Sequence, residues 1–179
     1  MDKEQKLKRI FLMSLDNTKP AFIKGALELQ NRGYEILYWV VWDKNELPNN
    51  KLQFKRTQFH WHYDAIKIIP PPEINESDFA PPGEDLIKHL YEIESVLTTM
   101  KQFYKLSESL LEKKHLFHRL VQYWYGIIQK FKPDIIFFSG VPHSVYDYIV
   151  YSLAGLLKIK TVLFPYANIG DRYLLISDI

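Results

Sequence analysis

The sequence contains no cysteine and only 7 glycines among its 179 residues. Without cysteine the chain forms no disulfide, no thiolate metal site and no cysteine nucleophile. The glycine-rich fingerprint of dinucleotide-binding domains and the phosphate loop of NTPases are both missing. The nucleophile elbow of α/β-type serine hydrolases is missing as well. These absences argue against an ordinary dehydrogenase, an NTPase and a serine hydrolase.

The sequence also lacks an excess of one charge and a long apolar run. Basic residues number 23 and acidic residues 21, so the net charge of +2 gives no sign of a nucleic-acid partner. The longest apolar stretches, such as 36–42, fall far below the roughly 20 residues that cross a bilayer. The charged start of the chain does not match a secretory signal peptide. We therefore expect a soluble, cytoplasmic protein whose contact with a membrane would be peripheral, at the inner face.

Strand patterns and helix patterns alternate in the first 42 residues. Residues 9–15 are predicted to form a buried strand, and a helix follows over Ala21–Asn31 with Pro20 in its first turn. Tyr34–Trp42 is rich in β-branched and aromatic residues, which favours a second strand. Strand, helix and strand within about 35 residues are typical of a βαβ unit in a parallel sheet.

The rest of the chain continues the same alternation around a helical stretch. A third strand is predicted within Phe59–Ile69, centred on Tyr63–Ile69, and residues 84–131 are predicted to be helical with a break near Ser107–Ser109. The last third predicts a strand over Ile135–Phe138, a helix that Pro142-His143 opens and that continues to Leu157, and a strand over Thr161–Pro165. We therefore predict a single α/β domain over residues 1–179. Its fold is a Rossmann-like three-layer domain, with a mostly parallel sheet of about five strands and a helical insertion at about 84–131.

Ligands of open parallel sheets bind beyond the carboxyl ends of the strands. This rule selects the polar residues that follow the predicted strands: Ser14, Asp16 and Asn17; Trp42 and Asp43; Ser139, Gly140 and His143; Tyr166, Asn168, Asp171 and Arg172. The rule locates the mouth of a site and leaves its activity open.

His143 is the strongest single candidate for chemistry. In the first turn of a helix the macrodipole disfavours the imidazolium, and a neutral imidazole is what a general base needs at pH 7. Asp147, one turn further on, would orient the ring. The alternative is that His143 hydrogen-bonds a neighbouring loop and that Asp147 is a solvated helical carboxylate.

Two further groups are candidates for ligand binding. Ser139 and Gly140 precede the same helix and would offer backbone donors to an anion. Arg172 would hold a phosphate or carboxylate with two hydrogen bonds, or else form a surface ion pair with Asp171. Asn168 belongs to the same cluster.

The histidines do not predict a metal site. In a strand, His60, His62 and Asp64 would lie on one face, as in sites with two histidines and one carboxylate. Side chains at these positions of one straight strand run parallel and do not converge on an ion, so no metal is expected there. His115 and His118 share a helical face without a nearby group of carboxylates.

Two parts of the chain resemble the amino-terminal domain of bacterial capsule and surface-polysaccharide biosynthesis proteins of the GT-B type. The resemblance is carried by Lys132-Pro133-Asp134 with the strand after it, Pro142-His143, Tyr146-Asp147-Tyr148, Leu153-Ala154, Leu157–Thr161, the turn Asp16-Asn17-Thr18 and the segment Leu29–Glu35. The stretch 132–161 is its most specific part.

The resemblance implies an acceptor-side domain of a glycosyltransferase acting in surface polysaccharide biosynthesis. A second domain or partner subunit would bind the nucleotide-sugar donor, so this domain would hold no cofactor and would be inactive alone. The carbohydrate acceptor would bind here, and His143 or Asp16 would take the proton of its hydroxyl. The alternatives are a non-catalytic Rossmann-like module that binds a partner protein or a nucleotide, and a membrane-surface module that uses the helices of 84–132.

Overall fold

A six-stranded sheet forms the centre of the molecule. The computed structural model describes residues 7–99, 109–167 and 172–177. The strands are β1 Lys8–Met13, β2 Tyr34–Val41, β3 Gln58–Trp61, β4 Ile135–Phe138, β5 Lys160–Leu163 and β6 Ile176–Ser177. Their order in the sheet is β3-β2-β1-β4-β5-β6, with β1 to β5 parallel and β6 antiparallel. This architecture confirms the predicted α/β fold.

Helices pack on both faces of the sheet. They are α1 Pro20–Asn31, α2 Leu47–Gln53, α3 His62–Lys67, α4 Glu84–His89, α5 Tyr91–Thr99, α6 Leu110–Phe131 and α7 Val145–Leu156, with a short 3₁₀ helix at Glu76–Asp78. Ser109 begins α6 with a capping box, in which its side chain and that of Glu112 each bond the other residue's backbone N–H. Ser107 and Glu108, in the predicted break, lie outside the described residues. Within the described residues, no helix is long and apolar enough to cross a membrane.

Alternate side chains of the strands supply two separate cores. On one face, Ile10, Leu12 and Trp39 pack in a cluster with Ala26 of α1 and Phe54, which follows α2. The other face holds the larger core, built on Phe11, Tyr38 and Phe138 with the buried faces of α6 and α7. The period-two alternation of β1, which puts Ile10 and Leu12 on one face and Phe11 on the other, explains why its buried part, Ile10–Met13, is apolar throughout.

The third strand lies earlier than predicted. Strand β3 is Gln58–Trp61, so only the first residues of the predicted segment form a strand; its centre is instead occupied by α3, whose C-cap Ile68 has the left-handed conformation. A short apolar run does not distinguish strand from helix, and here pairing with β2 fixes the earlier residues as the strand. Because the strand ends before His62, His60 and His62 do not share a strand face.

The helix after β4 also begins later than predicted. Its first residue is Val145 and its N-cap is Ser144, so Pro142 and His143 precede the helix. The premise that His143 lies in the first helical turn is therefore wrong. Two elements were not predicted. Helix α2 lies in a segment whose Asn and Pro residues suggested only turns, and the other element is the short strand β6.

Candidate functional site

The candidate site lies where the strand order of the sheet reverses. Strands β1 and β4 are neighbours, and the chain leaves them toward opposite sides of the sheet, which opens a crevice at their carboxyl ends. An open cleft of about 880 Å³ occupies this position, and we call it the switch-point cleft. Its lining residues are Ser14, Asp16, Lys19, Ala21, Phe22, Trp42, Ser139, Tyr166 and Tyr173.

Five of the residues selected from the sequence by the strand-end rule meet in the switch-point cleft: Ser14, Asp16, Trp42, Ser139 and Tyr166. Ser14 and Asp16 follow β1, and Ser139 follows β4. The backbone N–H of Ser139 donates to the carbonyl oxygen of Met13 at 3.1 Å, which holds the two strand ends together. The rule for parallel sheets thus predicted that residues more than a hundred positions apart in the sequence would lie together.

Trp42 forms a fixed aromatic wall of the cleft. Its indole Nε1–H donates to the carbonyl oxygen of Ser14 at 2.6 Å, and its own carbonyl oxygen accepts from Trp61 Nε1–H at 3.1 Å. One face of the indole stacks on the His62 ring, with 3.9 Å between the ring centres. The residue is still 39% exposed and lines the cleft, so part of the indole is available to a ligand.

Asn17 holds the loop that carries Trp42. Its Oδ1 accepts from the backbone N–H groups of Trp42 at 3.2 Å and Asp43 at 3.0 Å. Its Nδ2 donates to the carbonyl oxygen of Asp43 at 2.7 Å and to Asn50 Oδ1 at 2.8 Å. The side chain is buried and its polar atoms are engaged by the protein, so the geometry gives Asn17 a structural role. Its predicted contact with a substrate stays a prediction.

Asp16 presents a carboxylate to the cleft. Its Oδ1 accepts from both the backbone N–H and the hydroxyl of Thr18, at 3.0 and 2.7 Å. Among the described residues, no hydrogen-bond donor is assigned to its second oxygen, Oδ2. The carboxylate is thus oriented by one oxygen and can accept a hydrogen bond from a ligand through the other.

A second aromatic group lies on the opposite side of β1 and β4 from Trp42. Tyr173 packs edge to face on Phe22 and on Tyr166, with 5.6 Å between ring centres in each pair. Tyr166 and Tyr173 also form an isolated antiparallel bridge, which fixes the segment after β5 against α1. Both tyrosines remain partly exposed at the cleft, so aromatic surface is available on either side of the strand ends.

A chain of hydrogen bonds leads from the floor of the cleft into the core. Ser14 Oγ lies 2.5 Å from the Tyr146 hydroxyl, which lies 2.7 Å from His62 Nδ1. Burial, and to a smaller extent the charge of His143, lowers the pKa of His62 to about 4. The imidazole is therefore neutral at pH 7. Burial raises the pKa of Tyr146 well above its usual range, so its hydroxyl keeps its proton.

His143 is exposed and does not line the switch-point cleft. Its ring nitrogen Nδ1 donates to the carbonyl oxygen of Val141 at 2.9 Å, so Nε2 carries the lone pair of the neutral ring. Asp147 does not orient this ring as predicted: no hydrogen bond joins its carboxyl group to the imidazole among the described residues, and its buried carboxyl group instead interacts with the backbone N–H groups of His143, Ser144 and Tyr148. The carboxyl group therefore belongs to the first turn of α7.

Burial raises the pKa of Asp147 to about 7, because the charged form loses water; the charge of His143 and the backbone N–H bonds act in the opposite direction. Its Oδ1 is buried with no hydrogen-bond partner in the described part of the chain. The folded state holds this proton more tightly than the unfolded chain, so the stabilisation is present at low pH and is lost as the pH rises from about 4 to about 7.

The variant Asp147→Asn should lack this pH dependence. We expect its free energy of unfolding, relative to the wild type, to increase by on the order of 2 kcal/mol between pH 5 and pH 8. Urea unfolding at the two pH values measures the difference. Asp85→Asn, which changes an exposed carboxylate of α4, serves as the control and should show no such trend. A constant difference for Asp147→Asn would mean that Asp147 is ionised at both pH values.

The remaining predicted site residues are not assembled with the cleft. Gly140 follows Ser139 without lining the cleft. Arg172 is exposed, and its carbonyl oxygen accepts from the N–H of Ala167 at 2.9 Å. Asn168 and Asp171 lie outside the described residues. Across residues 7–99, 109–167 and 172–177, no three His, Asp or Glu side chains are close enough together to hold a metal ion.

Another open cleft, of about 580 Å³, lies at the amino-terminal end of β5. It is lined in part by Tyr148 and Tyr151 of α7 and by Lys158 and Lys160. Parallel sheets bind their ligands at the other end of the strands, so we place the candidate site at the switch-point cleft.

The sequence analysis missed the two residues that support the floor of the cleft, Tyr146 and His62. Tyr146 lies in the first turn of the helix that follows β4, a position that the strand-end rule could have included. His62 had no such signal, because its segment was assigned to the wrong element. No protein-family model, curated protein or solved structure matches this chain.

Proposed function

We propose that this chain is the acceptor-side domain of a GT-B-like glycosyltransferase of surface polysaccharide biosynthesis, and that its carbohydrate acceptor binds in the switch-point cleft. The observation that carries the proposal is the combination of a fixed indole, Trp42, with the oxygens of Ser14 and Asp16 in one cleft. A sugar ring has C–H groups on its faces and hydroxyl groups at its rim. An aromatic face beside a few oriented polar groups therefore matches it.

The helix starts at the cleft favour an uncharged ligand over a nucleotide. Phosphates bind at helix N-termini that have free N–H groups. The first residue of α1 is Pro20, which has no N–H, and the first turn of α7 carries the carboxyl group of Asp147. This arrangement supports the acceptor role over the nucleotide-binding alternative. A second domain would then supply the nucleotide-sugar donor at the cytoplasmic face of the membrane.

In the proposed reaction, the acceptor oxygen bonds to the anomeric carbon as the bond from that carbon to the leaving phosphate breaks. The acceptor hydroxyl proton passes to a base on this domain. Asp16 is the stronger candidate for that base, because it lines the cleft and its Oδ2 is open to a ligand. His143 remains the second candidate, with its Nε2 unprotonated in the neutral ring.

The proposal is tested by binding of glycosides to the chain. We expect methyl hexopyranosides and short oligosaccharides to shift the NMR signals of Trp42 and Ser14 in a saturable manner. Trp42→Ala should weaken this binding about five- to thirtyfold, since stacking on an aromatic ring contributes on the order of 1–2 kcal/mol. Nucleoside diphosphates should cause no such shifts.

The control for the loss of an aromatic side chain is Tyr91→Ala, which removes an exposed ring on α5. Its affinity for the glycosides should equal that of the wild type. Trp42→Phe separates the two roles of the indole, because it keeps a ring to stack on His62 and loses the bond to Ser14. Saturable binding of a nucleoside diphosphate at Trp42, without glycoside binding, would favour the nucleotide-binding alternative.

A further inference from the structure

The hydrogen-bond chain under the switch-point cleft determines whether the floor of the cleft donates a hydrogen bond to a ligand or accepts one. Ser14, Tyr146 and His62 are all buried, with 6%, 0% and 4% of their surfaces exposed. Ser14 is the member that lines the cleft. Each oxygen in the chain can either donate or accept, so the direction of the whole chain depends on His62 Nδ1, at its inner end.

The hydrogen bonds that join Ser14, Tyr146 and His62 have two possible arrangements. If Nδ1 of His62 accepts, Tyr146 donates to it and the Ser14 hydroxyl donates to Tyr146. The lone pairs of Ser14 Oγ then face the cleft. If Nδ1 carries the proton, both bonds reverse and the Ser14 hydroxyl is free to donate to a ligand. The tautomer of one buried histidine thus sets the hydrogen-bonding character of the floor.

Several observations favour the first arrangement. A neutral histidine ring in water prefers the proton on Nε2, and burial keeps His62 neutral at pH 7. The neighbouring His60 shows the same pattern: its Nε2 lies 2.9 Å from the carbonyl oxygen of Ile69, which can only accept. Nδ1 of His60 is therefore the acceptor in its 2.7 Å bond with the Tyr38 hydroxyl. Both histidines are paired with a buried tyrosine through Nδ1.

We propose that His62 and Tyr146 are positioning residues that hold Ser14 Oγ as a hydrogen-bond acceptor in the cleft, so that the site selects a ligand that donates from its hydroxyl groups. This inference rests on the proposed function and narrows its substrate to a neutral, polyhydroxylated sugar. Asp16 Oδ2 is an acceptor as well, and the Ser14 carbonyl oxygen is already bonded to Trp42. A phosphodiester or carboxylate, which has only acceptors at pH 7, finds no donor at Ser14 Oγ or Asp16, and Lys19 is the cationic donor among the residues that line the cleft.

The tautomer is measured directly and without a ligand. Long-range ¹H–¹⁵N NMR at pH 7 distinguishes the protonated from the unprotonated ring nitrogen of each histidine. We expect His62 to carry its proton on Nε2, as we expect for His60. A proton on Nδ1 of His62 would reverse the chain and overturn the proposal, whatever ligand the cleft binds.

Selectivity is measured with methyl hexopyranosides and their monodeoxy analogues. Wild-type affinity should fall about tenfold when the hydroxyl that contacts Ser14 is missing, because Ser14 Oγ then loses its partner. In Tyr146→Phe the Ser14 hydroxyl no longer has a partner in the core and is free to turn toward the ligand. A deoxyfluoro analogue, which can only accept at that position, should therefore bind the wild type about tenfold more weakly than the parent glycoside does, and should bind this variant within about twofold of the parent glycoside.

Two further variants keep the test decisive. Ser14→Ala removes the acceptor oxygen itself and should be insensitive to both the deoxy and the deoxyfluoro substitution. Tyr123→Phe removes another buried tyrosine hydroxyl, on a ring packed between Phe79 and Trp124, and should behave as the wild type. Equal sensitivity in the wild type, Tyr146→Phe and Ser14→Ala would overturn the positioning role while leaving glycoside binding established. No glycoside binding by the wild type would overturn the proposed function and this inference together.

Discussion

Acidification from pH 7 to pH 4 should remove up to about 6 kcal/mol of folding stability through His60 and His62. Burial lowers the pKa of each to about 4, against 6.5 in the unfolded chain. Between these values the unfolded chain binds protons that the folded protein does not, so stability is present above pH 6.5 and is lost toward pH 4. Each histidine contributes about 3 kcal/mol over this window.

The net effect in the wild type is smaller than this sum. Asp147, whose pKa is raised to about 7, gains stabilisation as the pH falls through the same range. The loss of two histidine contributions against the gain of one carboxyl contribution leaves a net decrease of about 3 kcal/mol. Because single domains have only about 5–15 kcal/mol of stability, this is a large fraction of the total.

His60→Gln isolates one of the two histidine contributions. We expect the variant to lose less stability than the wild type between pH 7 and pH 4.5, by about 3 kcal/mol. Denaturant unfolding is monitored by tryptophan fluorescence at half-unit pH intervals. It gives the slope of the free energy of unfolding against pH for the wild type and for the variant. His115→Gln, on the exposed side of α6, should reproduce the wild-type slope. Identical slopes for all three proteins would rule out His60 as a source of acid sensitivity.

Asn17→Ala should lower the free energy of unfolding by about 3–5 kcal/mol. The substitution deletes three hydrogen bonds to the loop that follows β2 and one to Asn50 of α2. It leaves the backbone groups of Asp43 and Trp42 and the side chain of Asn50 without that partner, at about 1–3 kcal/mol for each group that stays buried. The loop that carries Trp42 should loosen, and glycoside affinity should fall with it.

Stability is measured by denaturant unfolding. Glycoside affinity is measured by titration of the folded protein in the absence of denaturant. Asn49→Ala removes an exposed asparagine from the neighbouring helix α2 and should change stability by less than about 0.5 kcal/mol. Asn17→Asp keeps the acceptors for the N–H groups of Trp42 and Asp43 and loses both donors, so its stability should lie between those of the wild type and Asn17→Ala. A loss below about 1 kcal/mol in Asn17→Ala would show that water replaces these bonds.

The parts of the fold with unambiguous periodicity could be predicted from the sequence. Strands β1 and β2 each contain a continuous apolar run, Ile10–Met13 and Ile36–Val41, and β4 is apolar throughout; α1 has both its start and end signals, Pro20 and Gly33, with Gly33 in the left-handed conformation. The segment 58–67 could not be assigned in this way. Its apolar and aromatic residues fit either a strand or a helix, and only pairing with β2 divides it at Trp61.

The site was predictable where the strand ends determine it. Ser14, Asp16 and Ser139 follow directly from the rule for parallel sheets. The support behind Ser14 was not predictable, because Tyr146 is 132 residues away in the chain and reaches Ser14 through tertiary packing of α7. Likewise, a buried asparagine and a ligand-binding asparagine look alike in a sequence, so the structural role of Asn17 required its four bonds to be seen.

The place of β1 in the sheet has a consequence for the ribosome-bound chain. Strand β1 is central, yet one of its two neighbours, β4, lies 125 residues later at the Arg9–Asp134 contact. At a synthesis rate of roughly 5–20 residues per second, β1 emerges about 6–25 s before β4. For that interval β1 and β2 have an open, apolar edge, the kind of edge that pairs with other nascent chains. Chaperone access during translation should therefore matter more for the yield of this protein than its final stability does.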